Sequence, residues 1–158
     1  MKIYSFTFAR SGSKGIKNKN LIKFNKKPLI SWAIQDSINS KLINKTFVST
    51  DCLKIARVAK KAGATIPFIR PKKLSTSISP EYLSWHHAIN FLKDQKDLPD
   101  LFVSVPCTAP LRTSKDLDNM ISLYLKEKAD FVVGICDSHR SPYFNLMKKK
   151  NNNLVLFS

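Results

Sequence analysis

Along this chain, short apolar runs alternate with stretches in which apolar residues recur every three or four positions. Ile3–Phe8 is a continuous apolar run that predicts a buried first strand. Pro28 suits the first turn of a helix, and Ile30, Ala33, Ile34, Ser37 and Ile38 then share one helical face. Thr46–Ser49 reads as a second strand. A helix from about Cys52 to Ala62 turns Ile55, Ala59 and Ala62 inward, with Gly63 as its stop. Thr65–Ile69 is the third strand, and the serine-rich stretch from Pro71 to Pro80 has no period and reads as a loop. Tyr82, Trp85, Ile89 and Leu92 form the stripe of the next helix, leaving His86 and His87 as surface or core-edge residues rather than ligands. Leu101–Val105 is strand four. Thr113 and Asp116 have the spacing of a capping box, followed by Leu117, Met120, Ile121 and Tyr124 facing inward. Phe131–Cys136 is predicted as strand five. Tyr143–Met147, Lys148–Asn153 and Leu154–Phe157 then read as strand, turn and strand.

Strands that alternate with helices predict an α/β fold, a Rossmann-like and mostly parallel sheet with helices on both faces, ending in a β-hairpin. Ligands in such folds bind at the carboxyl ends of the strands. The loop at Arg10, the turn Ser49-Thr50-Asp51, the loop after Ile69 and the loop Pro106–Arg112 all follow strands and can line one crevice. Residues 1–158 suffice for a single domain with a real core. The apolar Leu154-Val155-Leu156-Phe157 ending carries the expectation that this domain is incomplete and that 143–158 begins a hairpin or dimerisation insert.

Composition narrows the function. No apolar run is long enough for a membrane span and the first strand is too short for an export signal, so the expectation is a cytoplasmic protein. Cys52, Cys107 and Cys136 show no paired spacing, and the histidines show none suited to zinc. The 27 Lys and Arg against 11 Asp and Glu, a net charge of +16, favour anionic partners. These cations are spread along the chain, and Trp32, Trp85 and Phe102 read as core, so a nucleic-acid groove ranks below a local anion site.

The densest chemistry lies between Phe8 and Asn20. Directly after the first strand come Arg10, Lys14, Lys17 and Lys19, interleaved with Ser11, Gly12, Ser13 and Gly15. Glycines let backbone approach a ligand closely, and amides with cationic side chains suit a polyanion. Lys14 precedes Gly15, which excludes a Walker motif, and two glycines do not make a dinucleotide fingerprint. Asp51 can hydrogen-bond in the cleft, assist a metal or cap the helix near Cys52; capping is the preferred reading, as it is for Asp116 and Asp118.

Four segments in order resemble the acylneuraminate (CMP-sialic acid) cytidylyltransferases. They are Ala9-Arg10-Ser11-Gly12-Ser13-Lys14-Gly15-Ile16 with Lys19-Asn20, Val48-Ser49-Thr50-Asp51, Ile69-Arg70-Pro71 with Leu74, and Thr108-Ala109-Pro110-Leu111-Arg112. The resemblance implies a nucleotide-diphospho-sugar transferase-like fold. It implies transfer of CMP from CTP to the anomeric hydroxyl of a nine-carbon 2-keto sugar acid, with release of pyrophosphate and with Mg2+ as cofactor. Such an enzyme would serve cell-surface polysaccharide biosynthesis and act as a homodimer when full length. Arg10 and Lys14 would be catalytic. Arg10, Ser11, Gly12, Ser13, Lys14, Lys19, Asn20, Arg70 and Thr108 would bind the nucleotide, Arg70 beside the cytidine, while Arg112 would shape the substrate cleft. Pro106-Cys107 stand where the family carries Gln-Pro, which removes a glutamine contact. The family's C-terminal aspartate motif for magnesium has no counterpart, leaving Asp51 as the one weak metal candidate. The alternatives are a nucleotidyltransferase for another sugar and base, or a basic nucleic-acid-binding module. Weak CTP binding and poor turnover are the expectation for the 158-residue chain.

Overall fold

The computed structural model describes residues 1–13, 15–135, 137, 147–151 and 153–156. Strand β1 (Ile3–Ala9) is central, with parallel neighbours β4 (Lys45–Thr50) on one side and β5 (Leu101–Ser104) on the other. Two-residue strands β2 (Lys23–Phe24) and β3 (Lys27–Pro28) form a small ribbon before helix α1 (Leu29–Asn39). Helices α2 (Leu53–Lys61), α3 (Glu81–Asp94) and α4 (Ser114–Glu127) follow, and β6 (Met147–Lys150) pairs with β7 (Asn153–Leu156) as an antiparallel hairpin. Among the described residues no helix is long and apolar enough to cross a membrane.

Alternation along β1 sorts the two faces of the sheet. Tyr4, Phe6 and Phe8 point to one side, where Phe6 stacks on Phe47 at 5.3 Å and on Phe102 at 4.6 Å, beneath Ala88 and Leu92 of α3. Ser5 and Thr7 point to the other. They are small enough for helices to approach, and their buried hydroxyls are satisfied by Thr46 Oγ1 at 3.0 Å and the Val105 carbonyl at 2.9 Å. On that side Ile30 and Ile34 of α1 and Ile55 and Ala59 of α2 pack around Ala9 and Val48, while Leu117 of α4 meets Ala33 and Val105. Helices therefore cover both faces, as the alternation predicts.

Several expectations are corrected. Thr65–Ile69 makes only isolated parallel bridges to β4, Thr65 to Phe47 and Ile69 to Thr50. Pro67 within it has no N–H to donate, so an unbroken ladder cannot form. Phe131–Ile135, predicted as part of strand five, is irregular, with Phe131 75% and Ile135 92% exposed; Cys136 lies outside the described residues. Apolar alternation specifies a face and not a partner, and the described sheet ends at β5. The buried stripe of α3 is Ser84, Ala88 and Leu92; Tyr82 and Trp85 are exposed, because the helix is rotated to set that stripe inward. Ile38 is likewise on the open side of α1. In the hairpin, Lys148–Lys150 belong to a strand rather than the turn, which is carried by Asn151 at φ 57°. The predicted stretch 143–146 lies outside the described residues.

Candidate functional site

β1 sends the chain to β4 on one side, and β5 lies on its other side, so the order reverses between β1 and β5. The crevice beyond the carboxyl ends of strands at such a reversal is the usual ligand site. A cleft of about 630 Å3 opens there. Its walls come from the ends of β1 and β5, from the Arg10 loop, from Arg70 and the segment after it, and from the start of α3.

Of the residues named from the sequence, Arg10, Ser13, Lys19, Asn20, Arg70 and Thr108 line this cleft. Ser11 and Gly12 are exposed nearby but do not line it. Lys14 lies outside the described residues. Arg112 is not a wall residue either: its guanidinium reaches the Asp36 carboxylate of α1 at 3.9 Å and the Pro106 carbonyl at 3.5 Å. Burial lowers the pKa of Arg112 and raises that of Asp36, each opposed by the other's charge. Arg112 thus ties the loop that carries Pro106, Cys107 and Thr108 to α1.

Arg70 is the unusual group. Its residue is only 4% exposed, and it lies at the cleft wall. Nε donates to Ser75 Oγ at 2.9 Å, and Nη1 to the Ser49 carbonyl and hydroxyl at 3.4 Å each. Every one of these acceptors is neutral. Burial lowers its pKa, the negative charges of Asp51 and Glu81 work against that, and the Arg10 charge adds to it. A buried cation held by neutral groups at a cleft wall leaves demand for an anion. Arg10, Lys19 and Arg70 face the same space, against Glu81 as the acidic wall residue.

The loop from Arg10 to Asn20 is fastened at both ends. Asn20, buried, donates from Nδ2 to the Arg10 carbonyl at 3.0 Å. Asp51 accepts from the Ser11 amide at 2.9 Å and the Ser11 hydroxyl at 2.7 Å. The capping role expected of Asp51 is therefore wrong: Cys52 is the N-cap of α2 and no side chain caps that helix. Asp116 does cap, in a full capping box with Thr113, whereas Asp118 accepts from Ser40 Oγ and the Lys41 and Leu42 amides and so ties α4 to the α1–β4 connection. A Cβ built on Gly12 or Gly15 would meet nothing within 4 Å, and neither has positive φ. The protein itself makes no demand for glycine there, and among the described residues of the loop the left-handed one is Asn18 at φ 54°.

Other wall residues were not assigned a site role from the sequence, although Leu74 stands in one of the four motifs. Phe8, Leu74, Thr76, Ser77, Ser79 and Ser84 come from the end of β1, the serine-rich loop and the face of α3. The loop's position after a strand was legible, but which of its hydroxyls turn inward was not. Ser79 lines the cleft, and its Oγ is buried without a hydrogen-bond partner. Cys107 is also a wall residue, with its thiol pushed up to about 12 by burial against the opposing charges of Lys19 and Arg112, so it is a neutral, unreactive group. His87, edge-on to Phe68 at 4.4 Å, has its pKa lowered by burial and by Arg70.

Magnesium finds no ready ligand set here. Among the described residues no three His, Cys, Asp or Glu side chains cluster to hold an ion. Both oxygens of Asp51 are engaged by Ser11. The described residues therefore offer no cluster that would hold magnesium by protein ligands alone.

Residues 7–155 match the family model described as cytidylyltransferase. The chain belongs to the cytidylyltransferase family. It is 32% identical over 153 residues to a pseudaminic acid cytidylyltransferase of Campylobacter jejuni, a match covering 94% of this chain and 64% of that protein. To a CMP-N,N'-diacetyllegionaminic acid synthase of the same species it is 33% identical over 150 residues, covering 93% and 63%. The chain thus spans a little under two thirds of the length of these curated relatives. A CMP:2-keto-3-deoxy-manno-octonic acid synthetase, solved in complex with CTP, superposes with a TM-score of 0.66 at 15% identity, over 82% of this chain and 49% of that one. That likeness shows the shared α/β fold.

Proposed function

We propose that this cytidylyltransferase chain forms the nucleotide-binding part of an enzyme that transfers CMP from CTP to a nine-carbon 2-keto sugar acid of the sialic, legionaminic or pseudaminic type, with release of pyrophosphate. The observation that carries the reading is the cleft wall in which buried Arg70, held by neutral acceptors, stands with Arg10 and Lys19. Such a wall suits a polyphosphate and repels a cationic ligand. The names of its relatives support the base and the class of acceptor.

In this proposal Arg10, Ser13 and Lys19 hold the triphosphate, with Lys14 joining them from the same loop. Arg10 and Lys14 act at the reacting phosphate, Asn20 helps to place the nucleotide, and Arg70 lies beside the cytidine, its charge adding to the field of Arg10 and Lys19 that holds the phosphates. Attack of the acceptor hydroxyl on the α-phosphorus forms one P–O bond, breaks the bond to the leaving pyrophosphate and releases the hydroxyl proton to solvent. Charge grows on the phosphoryl oxygens, and preset cations and amides stabilise it without reorganising. Magnesium belongs to the proposal as a companion of the triphosphate rather than a ligand of Asp51. Full-length chains are proposed to pair as homodimers, with 143–158 in the contact.

Thermal-shift curves with CTP, UTP, ATP and GTP test the base, because a ligand that binds only the folded state raises its stability by mass action. A shift selective for CTP is expected. Pyrophosphate release with each of the three acids then tests the acceptor class. Equal shifts by all four nucleotides, or none, would overturn the reading.

A further inference from the structure

Asp51 is not a wall of the cleft, yet it holds the loop that builds one. It stands 40 residues from Ser11 in sequence, at the end of β4, while Ser11 follows the end of β1. These strands are hydrogen-bonded neighbours in register Ala9 to Thr50, which delivers the two residues side by side. One carboxylate oxygen takes the Ser11 amide and the other takes the Ser11 hydroxyl. Two bonds to an ionised acceptor are stronger than neutral ones and fix direction as well as distance. Inside the loop, Ser13 N–H turns back on the Ser11 carbonyl at 3.1 Å, so the Asp51 grip passes to the residue that lines the cleft. The same negative charge supports the buried Arg70 cation.

We infer that Asp51 is a positioning residue, which presets the loop from Arg10 to Lys19 before any nucleotide arrives and is neither a helix cap nor a metal ligand. A preset anion loop spends less of its binding energy on ordering itself. The inference rests on the CTP-binding reading above for its effect on affinity, but the grip exists in the free protein and is measurable there.

The test compares wild type, Asp51→Ala, Asp51→Asn, Ser11→Ala and the Asp51→Ala/Ser11→Ala double variant. In ligand-free protein, hydrogen exchange should quicken across residues 11–19 in Asp51→Ala while β1 keeps its protection. Unchanged exchange in that loop would overturn the inference, whatever CTP does. Calorimetry with CTP should show affinity about tenfold lower in Asp51→Ala, a smaller loss in Ser11→Ala, which keeps its amide bond, and a double variant no worse than Asp51→Ala. Asp51→Asn, isosteric and uncharged, should fall between and serves if Asp51→Ala does not fold. Repeating the titrations over a range of magnesium concentrations separates the rival role. A changed magnesium requirement in the Asp51 variants with none in Ser11→Ala would make Asp51 a metal ligand and overturn the inference. If wild type binds no CTP, the functional reading fails, and hydrogen exchange still decides the grip.

Discussion

At the scale of single residues, the cleft is defined by groups whose surroundings do not explain them. Gly15 borders open space, has an ordinary backbone and lines the cleft. If it is there for a ligand, Gly15→Ala should leave the melting temperature unchanged or slightly raised while weakening CTP binding. Equal affinity in that variant would show that nothing approaches this backbone. Arg10→Ala removes a charge-assisted contact and should cost about 1–3 kcal/mol of CTP affinity by calorimetry. Unchanged affinity would take Arg10 out of the site. Arg10, Ser13, Lys19 and Asn20 were legible before any fold was known, because cations, hydroxyls and glycines crowd one loop. Ser79 and Ser84 were not: a serine facing a cleft and a serine facing water look the same in sequence.

At the scale of elements, ends mattered more than middles. Gly63 was read as the stop of α2, and it follows the C-cap with φ 99°. A Cβ there would sit 2.8 Å from Ile38 Cδ1 on α1. Gly63→Ala should therefore destabilise the fold by about 1–2 kcal/mol in urea unfolding, through backbone strain together with that contact. Thr113 and Asp116 likewise gave their capping box away by spacing, and Thr113→Ala should lose about 1 kcal/mol. Asp51 has the composition of a cap and is not one, since the neighbouring strand brings Ser11 within reach first. The rotation of α3 was hidden for a related reason. Tyr82 and Trp85 are more apolar than Ser84 and Ala88, yet it is Ser84, Ala88 and Leu92 that are buried, and Ala88 and Leu92 that join the aromatic layer of Phe6 and Phe47.

At the scale of the molecule, the two ends of the sheet divide the electrostatics. Among the described residues Arg10 and Lys19 of the cleft form no ion pair, while at the amino end Asp97 gathers Lys2 at 3.0 Å, Lys45 at 2.6 Å and the Tyr4 hydroxyl at 2.7 Å. The bonds from Lys45, Tyr4 and Lys2 hold the Asp97 carboxyl well below the usual carboxylate range. A carboxyl depressed in the folded state contributes stability that is complete above its unfolded value, about pH 4, and is lost as pH falls toward its folded value. Urea midpoints for wild type should therefore drop more steeply below pH 4 than those of Asp97→Asn. Parallel acid limbs for the two proteins would show that this knot adds nothing to folding.

The sequence by itself determined most of the alternation of elements, the central buried strand, the Thr113–Asp116 capping box and the cation-rich loop. Those depend on residues near one another in the chain, where period, spacing and composition act directly. The tertiary structure decided what depends on neighbours brought from afar. It gave the segment around Pro67 only isolated bridges to β4, left Phe131–Ile135 outside the ladders of the described residues, and set Arg112 against Asp36 rather than in the cleft wall. It also turned Asp51 from the helix that follows it to the loop beside it. In each case the side chain's nature was plain from the chain, and its partner was chosen by the packing of strands and helices.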